Sequence, residues 1–149
     1  MEIYRICLAK YANELVASGH AGRWNLAGQF AFYAAGSRAL ACLENVVHRS
    51  GEGLNSLFNV VRIALPDALP IEELPLAELP ADWHLPRHYA RCQPLGDAWY
   101  RRQSAAVLQV PSSIIPSEHN YVLNTRHPDF GQLHIVGLEE FVFDPRIKQ

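Results

Sequence analysis

Glu44, Tyr33, Arg23 and Ser112 each pair a side chain suited to chemistry with a local setting that could use it. Glu44 lies in SRALACLENVVHR, predicted as a helix with Ser37 as its N-cap. At about 100° per residue, Leu40, Leu43 and Val47 share one face of that helix, and Glu44 falls at its edge, about 40° from Leu40. A carboxylate there is partly desolvated unless something binds it. A salt bridge to an arginine, or a helix turned to put Glu44 in water, would account for it equally well. Tyr33 belongs to QFAFYA, where Phe30, Phe32 and Ala34 alternate with Gln29, Ala31 and Tyr33 as in a strand. Tyr33 therefore points away from the two phenylalanines, as a ring to stack on a flat ligand or as a second-layer core tyrosine. Arg23 sits in the loop GHAGRWN, where backbone can approach a ligand and a guanidinium fork suits phosphate or carboxylate.

Ser112 and Ser113 follow a strand and a proline in VPSSIIPSEHNYVLNTRHPDF. A serine hydrolase using His119 or His127 is one reading, but neither serine has a GxSxG elbow. His84 and His88 have helical metal-site spacing, which Pro86 between them spoils, so no metal is expected. Gly51-Glu-Gly53 lacks a third glycine and follows a helix, so it is no dinucleotide fingerprint, and there is no Walker A motif. Cys7, Cys42 and Cys92 are odd in number and far apart, as expected of reduced thiols.

These residues need a scaffold, and 149 residues supply a single domain spanning 1–149. The chain is 49% apolar and 19% charged, which excludes disorder. A net charge of −2 and a pI near 6.4 argue against direct nucleic-acid binding. No run of about 18 apolar residues could span a membrane. Glu2 and Arg5 interrupt the region where a signal peptide needs an apolar run, so a cytoplasmic location is expected.

Strands are predicted at 2–7, around Phe30–Ala34, at 59–65, near Ile71–Leu74, and at Ala105–Val110, Tyr121–Asn124, Gln132–Val136 and Glu140–Phe143. Helices are predicted at 9–18, at 37–49 (ended by Gly51 and Gly53) and at Gly96–Gln103. Prolines 66, 70, 75, 80 and 86 exclude a long helix, while Leu69 and Trp83 are too apolar for a solvated linker, so 66–86 should wrap the surface. Strands crowded late in the chain favour α+β over alternating α/β.

The order of YRI at 4–6, GRWN..G at 22–28, FYAAGSRALACLENVVH at 32–48, GDAW at 96–99, VPSSIIPSEHNYVLN at 110–124 and HPDF at 127–130 resembles the RES domain, the toxin of bacterial RES–Xre toxin–antitoxin systems. Thr125 stands where that family commonly has proline. The resemblance implies an ADP-ribosyltransferase-like split mixed or antiparallel β-core with flanking helices. It implies an enzyme that cleaves the nicotinamide–ribose bond of NAD+ as glycohydrolase or phosphorylase, with NAD+ as substrate and no further cofactor. Arg23, Tyr33, Glu44 and Ser112 fall on the family's active-site positions, and family analogy adds Arg5 as a second phosphate contact. Ser112 would hydrogen-bond the ligand without attacking it. A cognate Xre-type antitoxin would bind the toxin in a hetero-oligomer and block the cleft. ADP-ribosyl transfer to a protein, and a non-catalytic nucleotide- or antitoxin-binding module, are the alternatives.

Overall fold

Period-two burial sorts most of the chain. In β3 (Phe58–Ala64) Phe58 and Val60 face one side and Val61 and Ile63 the other, all buried. A strand apolar on both faces belongs in the middle of a covered sheet. The computed structural model describes residues 1–48 and 57–147. Its remaining strands are β1 (Glu2–Leu8), β2 (Ala31–Ala35), β4 (Ile71–Glu73), β5 (Val107–Pro111), β6 (His119–Asn124) and β7 (His134–Phe141). They form one sheet in the order β4-β5-β6-β2-β1-β3-β7, antiparallel except for the β4–β5 pair. Two helices, α1 (Arg38–His48) and α2 (Tyr89–Arg102), complete the expected α+β fold.

One sheet face packs Ile3, Phe32, Val61, Ile63, Val107 and Leu123 under irregular chain that includes Ala12, Leu69 and Leu133. The other face carries two separate clusters. Leu40 and Ala41 of α1 pack on Ile6 and Val60, while Cys92 and Trp99 of α2 join Trp24, Trp83, Leu108 and Val122. The strands beneath this divide also part. β1 pairs with β3 along its length, from Glu2↔Ala64 to Leu8↔Phe58, but meets β2 only at Tyr4↔Ala35. The split core is thus a sheet hinged on one pair.

Ser37 caps α1 as expected, its hydroxyl accepting from the Leu40 amide at 3.1 Å. The helix is rotated relative to the predicted wheel. Leu40 and Ala41 are buried, whereas Leu43 and Val47 are 40% and 59% exposed. The Asn45 side-chain amide donates to the Ile6 carbonyl at 2.9 Å, helping to fix this rotation. Glu44 consequently faces the sheet more than the apolar wheel implied. Gly51 and Gly53 lie outside the described residues.

Three predicted elements differ. The 9–18 helix is only a 3-10 turn at Ala9–Tyr11, since Leu15 and Ala17 pack on the sheet from irregular chain and Val16 is exposed. Helix α2 starts well before Gly96, after a 3-10 turn at Pro86–His88, and runs through Pro94, because burial of Cys92 and Trp99 outweighs the hydrogen bond proline removes. The two late strands are one, β7. Gly137 continues the ladder opposite Arg62, beside a register shift, and leaves room for the Arg62 guanidinium where a Cβ would lie 3.0 Å away.

At Gly96 the backbone of α2 lies close against the Trp24 backbone of the 19–28 loop. A Cβ there would lie 1.7 Å from the Trp24 carbonyl oxygen. Gly96→Ala should therefore cost about 3 kcal/mol or more, a fall in Tm of roughly 6–12 °C in a chain of this size. Gly131→Ala, with nothing within 4 Å, should be close to neutral. Equal melting temperatures for the two variants would show that α2 does not depend on this contact.

Candidate functional site

Where β1 and β2 part, a cleft of about 580 Å3 opens between the two clusters, within the range of small-molecule sites. β1 contributes Tyr4, Arg5 and Ile6, β2 contributes Tyr33, and α1 contributes Ala41, Glu44 and His48. The 16–24 stretch, Tyr89 of α2 and the Pro111–Ser113 and Asn120 region close it. The fold thus brings Arg5, Arg23, Tyr33 and Glu44 to one cavity, with Ser112 immediately behind it.

Glu44 is held from three sides. Its Oε1 accepts from Asn120 Nδ2 at 2.6 Å and from the Ser112 hydroxyl at 3.1 Å, and its Oε2 lies 3.3 Å from His48 Nε2, one helical turn on. Burial pushes this carboxyl up, but the hydrogen bonds from His48, Asn120 and Ser112 outweigh it and hold Glu44 below the ordinary carboxylate value. Glu44 is thus an ionised carboxylate on a cleft wall, with its orientation set by its neighbours.

Ser112 is fully buried. Its hydroxyl donates to Glu44 and accepts from the Ile114 and Ile115 amides, both at 3.1 Å. One donor and two acceptor positions are thereby used. The expected ligand hydrogen bond is replaced by a hold on Glu44. The esterase reading fails for the same residue, and His127 has both ring nitrogens engaged, by the Gln103 carbonyl and the Asp129 amide.

Tyr33 is laced to the loop in front of it. Its hydroxyl donates to Asn25 Oδ1 at 2.5 Å and accepts from the Trp24 amide at 3.1 Å. Burial keeps the phenol protonated, well above its ordinary range. Its ring borders the cleft, opposite in direction to buried Phe32, as the strand alternation predicts.

Arg23 is placed differently from the expected phosphate fork. Nη1 donates to the Trp83 carbonyl at 2.6 Å and the Leu85 carbonyl at 3.4 Å, and Nη2 donates to the His84 carbonyl at 3.3 Å. The guanidinium also lies 4.5 Å from the Tyr89 ring centroid. Arg23 borders the cleft while fastening the proline-rich segment to it.

Arg5 has more to offer a ligand. It makes one hydrogen bond, from Nη1 to the Tyr33 carbonyl at 3.3 Å, and rests 4.5 Å from the Phe32 ring centroid. Burial pulls its pKa below the ordinary guanidinium value, and no carboxylate pairs with it among the described residues. A partly desolvated cation with spare donors beside a cleft is a site for an anion.

Asn120, His48 and Tyr89 are cleft residues that the sequence reading did not single out. His48 could have been found by its i,i+4 spacing from Glu44. Extending the Tyr121–Asn124 alternation one residue back would have set Asn120 on the face of Val122, toward α1 and α2. Tyr89 carries no such signal, because the prolines before it argued against a helix.

The family model for the RES domain matches residues 2–144. A protein of Yersinia enterocolitica named Toxin Res is 35% identical over 153 aligned positions, covering 99% of this chain and all of that one. A protein of a Sphingobium strain named Prs ADP-ribosylating toxin is 38% identical, covering 85% of this chain and 80% of its own. Among solved structures, the M. tuberculosis MbcT–MbcA toxin–antitoxin complex contains a chain that superposes with a TM-score of 0.74 at 21% identity, over 95% of this chain and 84% of that one. No described helix is long and apolar enough to cross a membrane. With the domain matched almost end to end, this chain belongs to the RES domain family, the family of the Res toxins.

Proposed function

We propose that the cleft binds NAD+ and cleaves its nicotinamide–ribose bond, and that this activity makes the protein the toxin of a toxin–antitoxin pair. The observation that carries the reading is Glu44, an ionised carboxylate gripped by Ser112, Asn120 and His48 on the wall of a cleft that also holds the spare cation Arg5. Nicotinamide is cationic in NAD+ and departs neutral, so no general acid is needed. The sugar left behind resembles the oxocarbenium ion of glycoside hydrolysis. A fixed negative charge beside it lowers the barrier, most effectively when the carboxylate need not reorganise. Attack by water gives ADP-ribose, nicotinamide and one proton. Arg5 holds the diphosphate, Tyr33 offers its ring to a flat base, and Arg23 sets the wall.

Phosphate or a protein side chain could attack the same cation. The relative named as an ADP-ribosylating toxin favours keeping protein transfer as a second reading. Incubation with NAD+ separates the acceptors by product: ADP-ribose, its 1″-phosphate, or label on protein. The structural likeness to a chain from a toxin–antitoxin complex supports a protein antitoxin as partner, and an Xre-type antitoxin that covers the cleft is the form we propose.

Glu44→Gln keeps size and loses charge. Nicotinamide release should fall about 10²–10³-fold, and near-normal turnover would remove Glu44 from the chemistry. The lowered pKa also has a sign. Activity that needs ionised Glu44 persists above its ordinary value of 4.5 and is lost as pH falls through the still lower folded value. Ser112→Ala removes one hydrogen bond to the charged form, so the acid limb of kcat should move up in pH. An unmoved limb would separate Ser112 from Glu44. Arg5→Ala should raise KM for NAD+ about 10- to 100-fold, with Tm nearly unchanged. Arg23→Ala should lower Tm together with affinity. An unchanged KM in the Arg5 variant would place the diphosphate elsewhere.

A further inference from the structure

Tyr89, the first residue of α2, borders the cleft and is half-buried. Glu44 and Tyr89 thus come from the helices of the two lips. The Arg23 guanidinium lies over the Tyr89 ring, 4.5 Å from its centroid. Arg23 donates to the Trp83, His84 and Leu85 carbonyls and to the Cys92 sulfur, and to no carboxylate among the described residues. The α2 side of the cleft is therefore an aromatic ring backed by an uncompensated cation, while the α1 side holds the ionised carboxylate Glu44. A cation on one face of a ring draws on its π electrons and leaves less to offer a second cation, and like charges repel. A positively charged heterocycle is disfavoured there, whereas a neutral base suffers no such penalty and gains stacking area. The Tyr33 ring has no guanidinium over it among the described residues and carries no such bias.

We propose that Tyr89 stacks on the adenine of NAD+, so that the dinucleotide lies with its adenosine half toward α2 and its nicotinamide half toward Glu44. The inference rests on the NAD+ reading above. NAD+ carries one cationic base and one neutral base, so a cleft with opposite charges on its two lips gives it a direction. Both charges favour the same one. Glu44 attracts the nicotinamide cation and faces the sugar that becomes positive, while Arg23 repels that cation and tolerates the neutral base beside Tyr89. Arg23 is itself fastened to three carbonyls, so the ring it covers is held in place before the ligand arrives. Little ordering is then left for binding to supply.

The test follows nicotinamide release from NAD+ in the presence of two inhibitors, ADP for the adenosine half and nicotinamide mononucleotide for the other. In the wild type ADP should compete with NAD+. Tyr89→Ala, once its Tm confirms folding, should raise the Ki of ADP and the KM of NAD+ about tenfold, while kcat and the Ki of nicotinamide mononucleotide stay within about twofold. Tyr89→Leu, which keeps bulk beneath Arg23 without an aromatic ring, should behave as Tyr89→Ala does. Tyr89→Phe keeps the ring and should keep the wild-type Ki for ADP; a loss there would assign the contact to the hydroxyl and overturn stacking. Equal weakening of both inhibitors, or a fall in kcat as large as the rise in KM, would make Tyr89 a prop for the whole cleft and overturn the inference. Weakening of nicotinamide mononucleotide alone overturns it by reversing the dinucleotide. ADP that fails to compete in the wild type, or an unchanged Ki for ADP in both Tyr89→Ala and Tyr89→Leu, overturns it as well. If the wild type cleaves no NAD+, the NAD+ reading itself fails and takes this inference with it.

Discussion

The parting of β1 from β2 after a single paired position is the constraint on which the site depends. A sheet gains by pairing all its strands, and β1 does so with β3 over its whole length. On the other side, the pair Tyr4↔Ala35 is the whole junction. Backbone that would have closed the sheet instead borders a cavity, and the residues just past the junction, Arg5 and Tyr33, become its walls. The two apolar clusters on that face keep the lips apart, one under α1 and one under α2. Each lip has its own core, so the opening does not rely on the ligand to prop it.

Polar groups are arranged around the gap in an order that follows from this geometry. Glu44 comes from a helix on one lip, and two of its holders, Ser112 and Asn120, come from the strand system of the other. The carboxylate therefore ties the lips together while remaining on the cavity wall. Ionised side chains inside proteins are tolerable when several donors share the charge, and here three do. The same bonds that make Glu44 chemically useful brace the cleft. Tyr33 repeats the pattern on a smaller scale, since its hydroxyl fastens the 22–25 loop that roofs its own ring.

The legible part of this design was local. Alternation in QFAFYA set Tyr33 opposite Phe32, and Ser37 announced the start of α1, both because period and capping act within a few residues. The glutamate was visible as an acid on an apolar helix, yet the wheel misjudged its rotation. Leu43 and Val47 looked like core and are exposed, because Asn45 anchors the helix to a carbonyl thirty-nine positions earlier in the chain. Arg23 was recognisable as important but not for its task, which depends on carbonyls about sixty residues away. For Asn120, alternation could have given the face, but its bond to Glu44 depends on a partner on another element. Sequence reading stops where a side chain's role is set by long-range neighbours and not by its own segment.

Arg23's grip on the wall has a consequence for how the cleft responds to its surroundings. The guanidinium holds carbonyl dipoles of Trp83, His84 and Leu85, and not a carboxylate. Carbonyls do not titrate, and arginine does not lose its proton in the physiological range. A clasp made this way has no acid or base half to neutralise, and a short charge–dipole contact is screened by salt less than an exposed ion pair. Acidification that unlocks ordinary surface bridges would leave this boundary of the cleft in place, so environmental control of its shape must come through contacts other than this one.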